Sequence, residues 1–229
     1  MRVSVITFPG SNCDHDAQEV FAQRGHSVKP VWHKDTDLGN PALVILPGGF
    51  SYGDYLRCGS IAKFSPIMAA VVRHAQAGGL LLGICNGFQI LTEVGLLPGT
   101  LLMNRTLRFI CQHQFIRVEK NDTPFTHGIA LGTALDIPIA HKEGNYYIDA
   151  EGLKALQDED GIVFRYCDRA GHVTPEANPN GSLDNIAGIC NRQYNILGMM
   201  PHPERAASEA VVSQDGLQII QALERYFGL

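Results

Sequence analysis

Short apolar runs punctuate the chain, and between them the apolar spacing switches to the period of a helix. Residues 3–8 form a first run, residues 14–24 place Ala17, Val20 and Phe21 on one side of a helix, and residues 27–32 form a second run. Strand, helix and strand without a gap is a βαβ signature. A third run spans residues 41–46. Residues 60–77 predict a helix, with Pro66 in its first turn or at a bend. Leu80, Leu81 and Leu82 make a fourth run, entered through Gly78 and Gly79, and such a run reads as a buried parallel strand. Beyond it Phe88, Ile90, Leu91 and Val94 fall at helical spacing until Gly95 ends the helix.

The second half is less regular. Residues 115–118 predict a strand, and residues 134–140 and 146–148 predict a pair of strands joined by the charged turn 141–145. Residues 152–160 predict a short helix and 162–167 a strand. Residues 171–185 are rich in Pro, Asn and Gly, which predicts an ordered loop and no regular element. Two late strands, 186–190 and 195–199, precede a closing helix over 216–227 with Leu217, Ile220 and Leu223 inward. The pattern as a whole predicts a single α/β domain over residues 1–229, a mostly parallel sheet with helices on both faces.

Composition narrows the function classes. The formal charge of -5 argues against a general nucleic-acid role. No apolar run approaches membrane-spanning length, and Pro9-Gly10 interrupts the opening run before it could serve as a signal peptide. The six cysteines, at 13, 58, 85, 111, 167 and 190, show no CxxC pair and no metal spacing. They read as free thiols of a cytoplasmic protein, with no metal site.

The candidate chemistry gathers at the fourth run. Cys85 falls where strand becomes helix, between Gly83 and Gly87. A turn of this kind exposes a side chain at the carboxyl end of a sheet, and the helix N-terminus below favours negative charge on it. The plain alternative is a core cysteine near glycines. A nucleophilic cysteine needs a base, and the base needs an orienting acceptor. His202 and Glu204, in Met200-Pro201-His202-Pro203-Glu204 just past the last strand, supply both types, and Pro203 restricts the histidine to extended backbone. Pro47-Gly48-Gly49 follows the third run, so the N–H groups of Gly48 or Gly49, with that of Asn86 after the nucleophile, could form an oxyanion hole. Gln89, one turn into the elbow helix, is a candidate substrate contact; a helix residue bonded to solvent is the alternative. Cys13 is a rival nucleophile without a glycine-flanked elbow. In the polar loop 47–59, Asp54 and Arg57 either pair with each other or face a partner.

These motifs, in this order and spacing, resemble the class I glutamine amidotransferases. The phrases VITFPGSNCDHD, PGGFSYGDYLRCGSIA, VTPEANPNGSLDNIAGICN and LGMMPHPERA resemble, more narrowly, the family of small glutaminase subunits of phosphoribosylformylglycinamidine synthases. The resemblance spans essentially the whole chain. It implies a flavodoxin-like fold with a nucleophile elbow, and hydrolysis of L-glutamine to glutamate and ammonia through a Cys85 thioester. It implies two partners, a large synthetase subunit that uses ATP and Mg2+ and a small accessory subunit, with no cofactor on this chain. It also implies glutamine contacts around Arg108 and Phe109, and a partner-facing turn 141–145 that makes His141 an interface candidate. Two other readings remain open on the residues alone: a stand-alone cysteine hydrolase or peptidase of similar fold, and a non-catalytic scaffold. The first has no need of the His-x-Glu motif on a late strand. The second should have lost Cys85, His202 or Glu204, and all three are present.

Overall fold

The computed structural model describes residues 1–229. The first half alternates as its spacing predicts: β1 (Arg2–Thr7), α1 (Asp14–Gln23), β2 (Ser27–Trp32), β3 (Leu43–Leu46), α2 (Met68–Gln76), β4 (Leu80–Ile84) and α3 (Asn86–Glu93). The second half adds β5 (Thr100–Leu102), β6 (Ile110–Val118), β7 (Ala134–His141), β8 (Asn145–Tyr147), α4 (Ala150–Asp158), β9 (Ile162–Tyr166), β10 (Ile186–Cys190), β11 (Ile196–Met199) and α5 (Gly216–Tyr226). A nine-stranded sheet runs in the order β2-β1-β3-β4-β11-β10-β9-β6-β7. The pairings from β2 to β11 are parallel, and those from β11 to β7 are antiparallel.

The parallel half explains the apolar runs. β3 and β4 are buried along their whole length, so neither shows alternation. Chain order steps one way from β1 to β2 and the other way from β3 to β4. Right-handed crossovers therefore put α1 and α2 on opposite faces, and leave a crevice at the carboxyl ends of β1 and β3. β7 alternates between half-buried and buried positions, as a half-covered edge strand does. One cluster of 54 buried residues runs through the sheet and its helices.

Three expectations change. β7 and β8 do not pair with each other: β7 pairs with β6, and β8 with β5 in a separate two-stranded sheet. Nearness in sequence suggests a hairpin, but each of the two strands finds its partner elsewhere. Only Met68–Gln76 of the long helix over 60–77 is α-helical, because Pro66 restricts Ser65 to extended backbone at φ -63°, ψ 139°. The strand expected at 115–118 begins at Ile110. The loop 171–185 is ordered, as expected. Asn180 and Ser182 are buried there, and both donate to the Gly144 carbonyl.

Candidate active site

Four adjacent parallel strands end on the same side. β1 leads to Cys13, β3 to Gly48 and Gly49, β4 to Cys85 and Asn86, and β11 to His202. Sheet topology thus collects residues that lie up to nearly two hundred positions apart.

Cys85 adopts φ 51°, ψ -103°, a left-handed conformation outside the helix that follows. For a residue with a Cβ this costs on the order of 1–3 kcal/mol and persists only where surrounding bonds hold it. Here its N–H donates to Met199 O at 2.8 Å, and its carbonyl accepts from Gln89 N–H at 3.1 Å. Gly87 is required as well, since a Cβ there would run into the Leu46 carbonyl at the end of β3. The helix can therefore begin tight against the sheet, directly beneath the cysteine. The Cys85 thiol donates to Ala140 O at 3.7 Å.

His202 follows β11, and its N–H donates to Pro138 O at 2.9 Å. The antiparallel half of the sheet thus curls back and brings β7 over the site. His202 Nδ1 lies 2.7 Å from Glu204 Oε1, with both side chains only 2% exposed. A carboxylate only accepts, so Nδ1 carries the proton and Nε2 is bare in the neutral ring. Nε2 has no hydrogen-bond partner, nor has Glu204 Oε2. Burial opposes charge on the ring, but Glu204 and Cys85, with Cys13 beside them, outweigh it and hold the His202 pKa well above its ordinary value.

The N–H groups of Gly48 and Gly49 donate to no protein acceptor. Gly49 has φ +146°, and a Cβ there would meet the backbone of Ser11 and Asn12. The loop is pinned by Phe50 N–H to Gly10 O at 2.9 Å and by Cys13 N–H to Gly48 O at 3.3 Å. Beyond it Tyr52, Asp54 and Leu56 all have positive φ, so the segment is strained. The Tyr52 hydroxyl anchors it to His33 Nδ1 at 2.7 Å and Ser65 Oγ at 2.9 Å.

Gln89 is buried, which removes the solvent-bonded alternative. Both ends of its amide are occupied: Oε1 accepts from Asn86 Nδ2 at 2.8 Å, and Nε2 donates to Glu143 O at 2.6 Å. It links the elbow to the turn after β7. Arg108 and Phe109 sit exposed, with the Phe109 ring 6.3 Å from that of Phe50, which follows Gly49. Arg57 pairs with Glu93 at 2.7 Å and not with Asp54, whose carboxyl pKa is raised by burial and by nearby Glu143. A helical residue in reach decided that pairing.

His141 is not a surface residue. It is 3% exposed and faces inward at the end of β7. Asn104 fixes its tautomer. The Asn104 amide nitrogen donates to Arg108 O and His141 O, so its oxygen must be what faces His141 Nδ1 and Gly144 N–H. Nδ1 is therefore protonated and Nε2 is a bare, buried acceptor without a partner. Burial, with His202 close by, pushes the His141 pKa down to about 3.

Cys13 also lies in the site. Its sulfur, a His202 ring nitrogen and a Glu204 oxygen are within 4.8 Å of one another. These are metal-ligating residue types, but the imidazole Nδ1 is bonded to Glu204 Oε1, the arrangement a proton-transfer pair requires. Strand order brings Cys13 here: its loop follows β1, and β1 neighbours β3.

A cysteine on a strand-to-helix elbow, a buried His–Glu pair and two free glycine N–H groups thus meet at the carboxyl ends of a parallel sheet, the groups that a cysteine hydrolase of the glutamine amidotransferase class needs. The family model for the CobB/CobQ-like glutamine amidotransferase domain matches residues 1–220. The phosphoribosylformylglycinamidine synthase subunit PurQ of Acaryochloris marina is 54% identical over 226 residues, 97% of this chain and 95% of the relative. That of Koribacter versatilis is 55% identical over 224 residues, 97% of each. A chain in the structure of PurLQS from Thermotoga maritima superposes with a TM-score of 0.87 at 42% identity, covering 99% of this chain and 98% of the other. The chain belongs to the PurQ family of glutamine amidotransferase subunits.

Proposed function

We infer that this chain is the glutaminase subunit of phosphoribosylformylglycinamidine synthase, working with a large synthetase subunit and a small accessory subunit in purine biosynthesis. It releases ammonia from L-glutamine, and the synthetase uses ATP and Mg2+ to put that ammonia into the amidine. The observation that carries the chemistry is the strained Cys85 elbow beside the His202–Glu204 pair. The unpaired cysteines, five of them buried, suit a reducing cytoplasm. The one continuous core supports a single domain.

Cys85 gives its proton to His202 Nε2 and attacks the side-chain amide carbon. Glu204 holds the imidazole with Nε2 toward the thiol and stabilises the imidazolium. The developing oxyanion is received by the N–H of Asn86 and of Gly48 or Gly49. The free state of both glycine N–H groups supports this assignment, and each well-placed donor contributes roughly 3 kcal/mol in the transition state. His202 then protonates the leaving ammonia, and a glutamyl thioester remains on Cys85. Water, deprotonated by His202, hydrolyses it to glutamate. Gln89 keeps Asn86 and the Glu143 carbonyl in register, and Arg108 and Phe109, exposed and with Phe109 near Phe50, are the contacts proposed for the glutamine substrate.

The test uses the assembled complex. Cys85→Ala should abolish glutamine-dependent amidine formation and leave the ammonia-dependent reaction nearly intact. Retained glutamine use in that variant would place the nucleophile elsewhere.

A further inference from the structure

Cys13 is a buried thiol that the reaction above does not use. It lies 2% exposed in the loop after β1 and caps α1. Its S–H donates to Asn12 Oδ1 at 3.1 Å. With the hydrogen committed there, the sulfur presents lone pairs to its other neighbours. One of them is the imidazole of His202, with a ring nitrogen within 4.8 Å. A Cβ placed on Gly48 would lie 2.6 Å from His202 Cε1, 3.3 Å from its Nδ1 and 3.0 Å from Cys13 Sγ. Ring edge and sulfur therefore share one recess against Gly48, and that recess exists because residue 48 has no side chain. The Cys13 N–H to Gly48 O bond closes it.

We propose that Cys13 is a positioning residue for the amidohydrolase reaction: its sulfur holds the His202 ring from the Gly48 side and favours the imidazolium that forms when Cys85 ionises. The proposal rests on His202 being the base. The step is a proton transfer. The Cys85 S–H bond breaks, its electron pair stays on sulfur, and the proton forms a bond to His202 Nε2. A positive ring beside a soft, electron-rich sulfur is better stabilised than one beside a methyl group.

Several charged or titratable groups face that ring. Glu204 stands on its own segment, Cys85 on the elbow, Cys13 on the loop after β1, and His141 at the end of β7. The Arg205–Asp16 ion pair, at 2.8 Å, lies behind Cys13. His141 is neutral and Glu204 is fixed at Nδ1, so Cys13 is the neighbour whose removal changes the ring's surroundings without breaking the His–Glu pair. Cys13 itself is a poor nucleophile. Burial raises its pKa, with His202 only partly opposing that, and it sits on no elbow.

The experiment follows alkylation of Cys85 by iodoacetamide against pH in the complex, with the modified residue identified by mass. Removing the lone pair should raise the pH midpoint of Cys85 reactivity by about half a unit or more in Cys13→Ala and in Cys13→Val. The second variant keeps the bulk where alanine leaves a hole. Cys13→Ser keeps an acceptor and should stay near the native midpoint. A purely structural role would alter melting temperature or labelling amplitude while the midpoint held. An unmoved midpoint in folded Cys13→Ala or Cys13→Val, with a moved one in His202→Ala, overturns this inference alone. An unmoved midpoint in His202→Ala removes the base assignment and the inference with it.

Discussion

The Cys85 thiol points at the Ala140 carbonyl, 3.7 Å away, while His202 Nε2 has no hydrogen-bond partner. The parts of a proton relay are close enough for Cys85 to raise the His202 pKa, but the thiol hydrogen is directed at Ala140 and not at the ring. Ala140 lies at the end of β7, and the turn after it is tied to the elbow through Glu143 and Gln89. The loop with the strained Tyr52, Asp54 and Leu56 is bonded to the elbow and to that turn, through Ser51 N–H to Asn86 Oδ1 and Cys58 N–H to Glu143 Oε2. A shift at the end of β7 would let the thiol turn to the imidazole, and a partner docked at that turn could favour the engaged state.

Glutaminase turnover should therefore be low for the chain alone. It should rise at least about tenfold, or roughly 1.4 kcal/mol of coupling, in the complex whose synthetase carries its substrate and nucleotide. Steady-state glutamate release from the lone chain, the resting complex and the loaded complex measures this. Equal turnover in all three would mean a site that is already competent.

Gly48→Ala should be far more damaging to activity than to fold. Its Cβ would lie 2.6 Å from His202 Cε1 and 3.0 Å from Cys13 Sγ, so the imidazole must move. Gly48 itself has no positive φ, and the substitution adds no backbone strain. We expect a loss of about a hundredfold or more in kcat, or at least about 2.7 kcal/mol, with a near-native melting temperature. A variant within threefold of native turnover would show that the recess is not tight.

How much of this was legible depends on what each motif's neighbours are. The elbow could be read because a strand, a cysteine between glycines and a helix are all local. The same holds for His202 and Glu204, which are two residues apart. His141 and Cys13 could not be placed that way. His141 looks like surface in a charged turn, and it is buried because β7 packs against the segment after β11, through His202 N–H to Pro138 O, and Asn104 supplies its partner from 37 residues away. Cys13 joins the site through strand order, which one sequence does not display. The sequence also does not show that β7 and β8 pair apart, since local spacing says nothing about which more distant strand competes for an edge.

His141 should make the fold acid-labile. Its folded pKa, near 3, lies below the unfolded value of about 6.5, so the unfolded chain binds the proton first. Stability is thus unaffected above pH 7 and falls as pH drops from about 6.5 toward 3. At pH 5 the loss from this residue is about 2 kcal/mol. His141→Gln cannot titrate there. Urea unfolding of both proteins at pH 7 and pH 5 should show the native protein losing more stability than the variant by roughly that amount. A matched loss would mean that His141 takes up a proton in the folded state.

Glu204→Gln separates the two contributions of the acidic partner. Glutamine can still accept from His202 Nδ1, so the tautomer is kept, but the negative charge is lost. That charge is among the causes that hold the His202 pKa high, and without it burial gains ground and the imidazolium weakens. Thioester formation on Cys85, followed by mass after rapid mixing with glutamine, should slow by about ten- to a hundredfold, which is roughly 1.4–2.7 kcal/mol. The acid-side limb of the pH profile should move down, because the ring now protonates at lower pH. His202→Ala should be slower still, since no base remains. Native-like labelling rates in both variants would remove His202 and Glu204 from the chemistry, and a Glu204→Gln rate as low as that of His202→Ala would mean that the charge, and not the orientation, supplies nearly all of what Glu204 does.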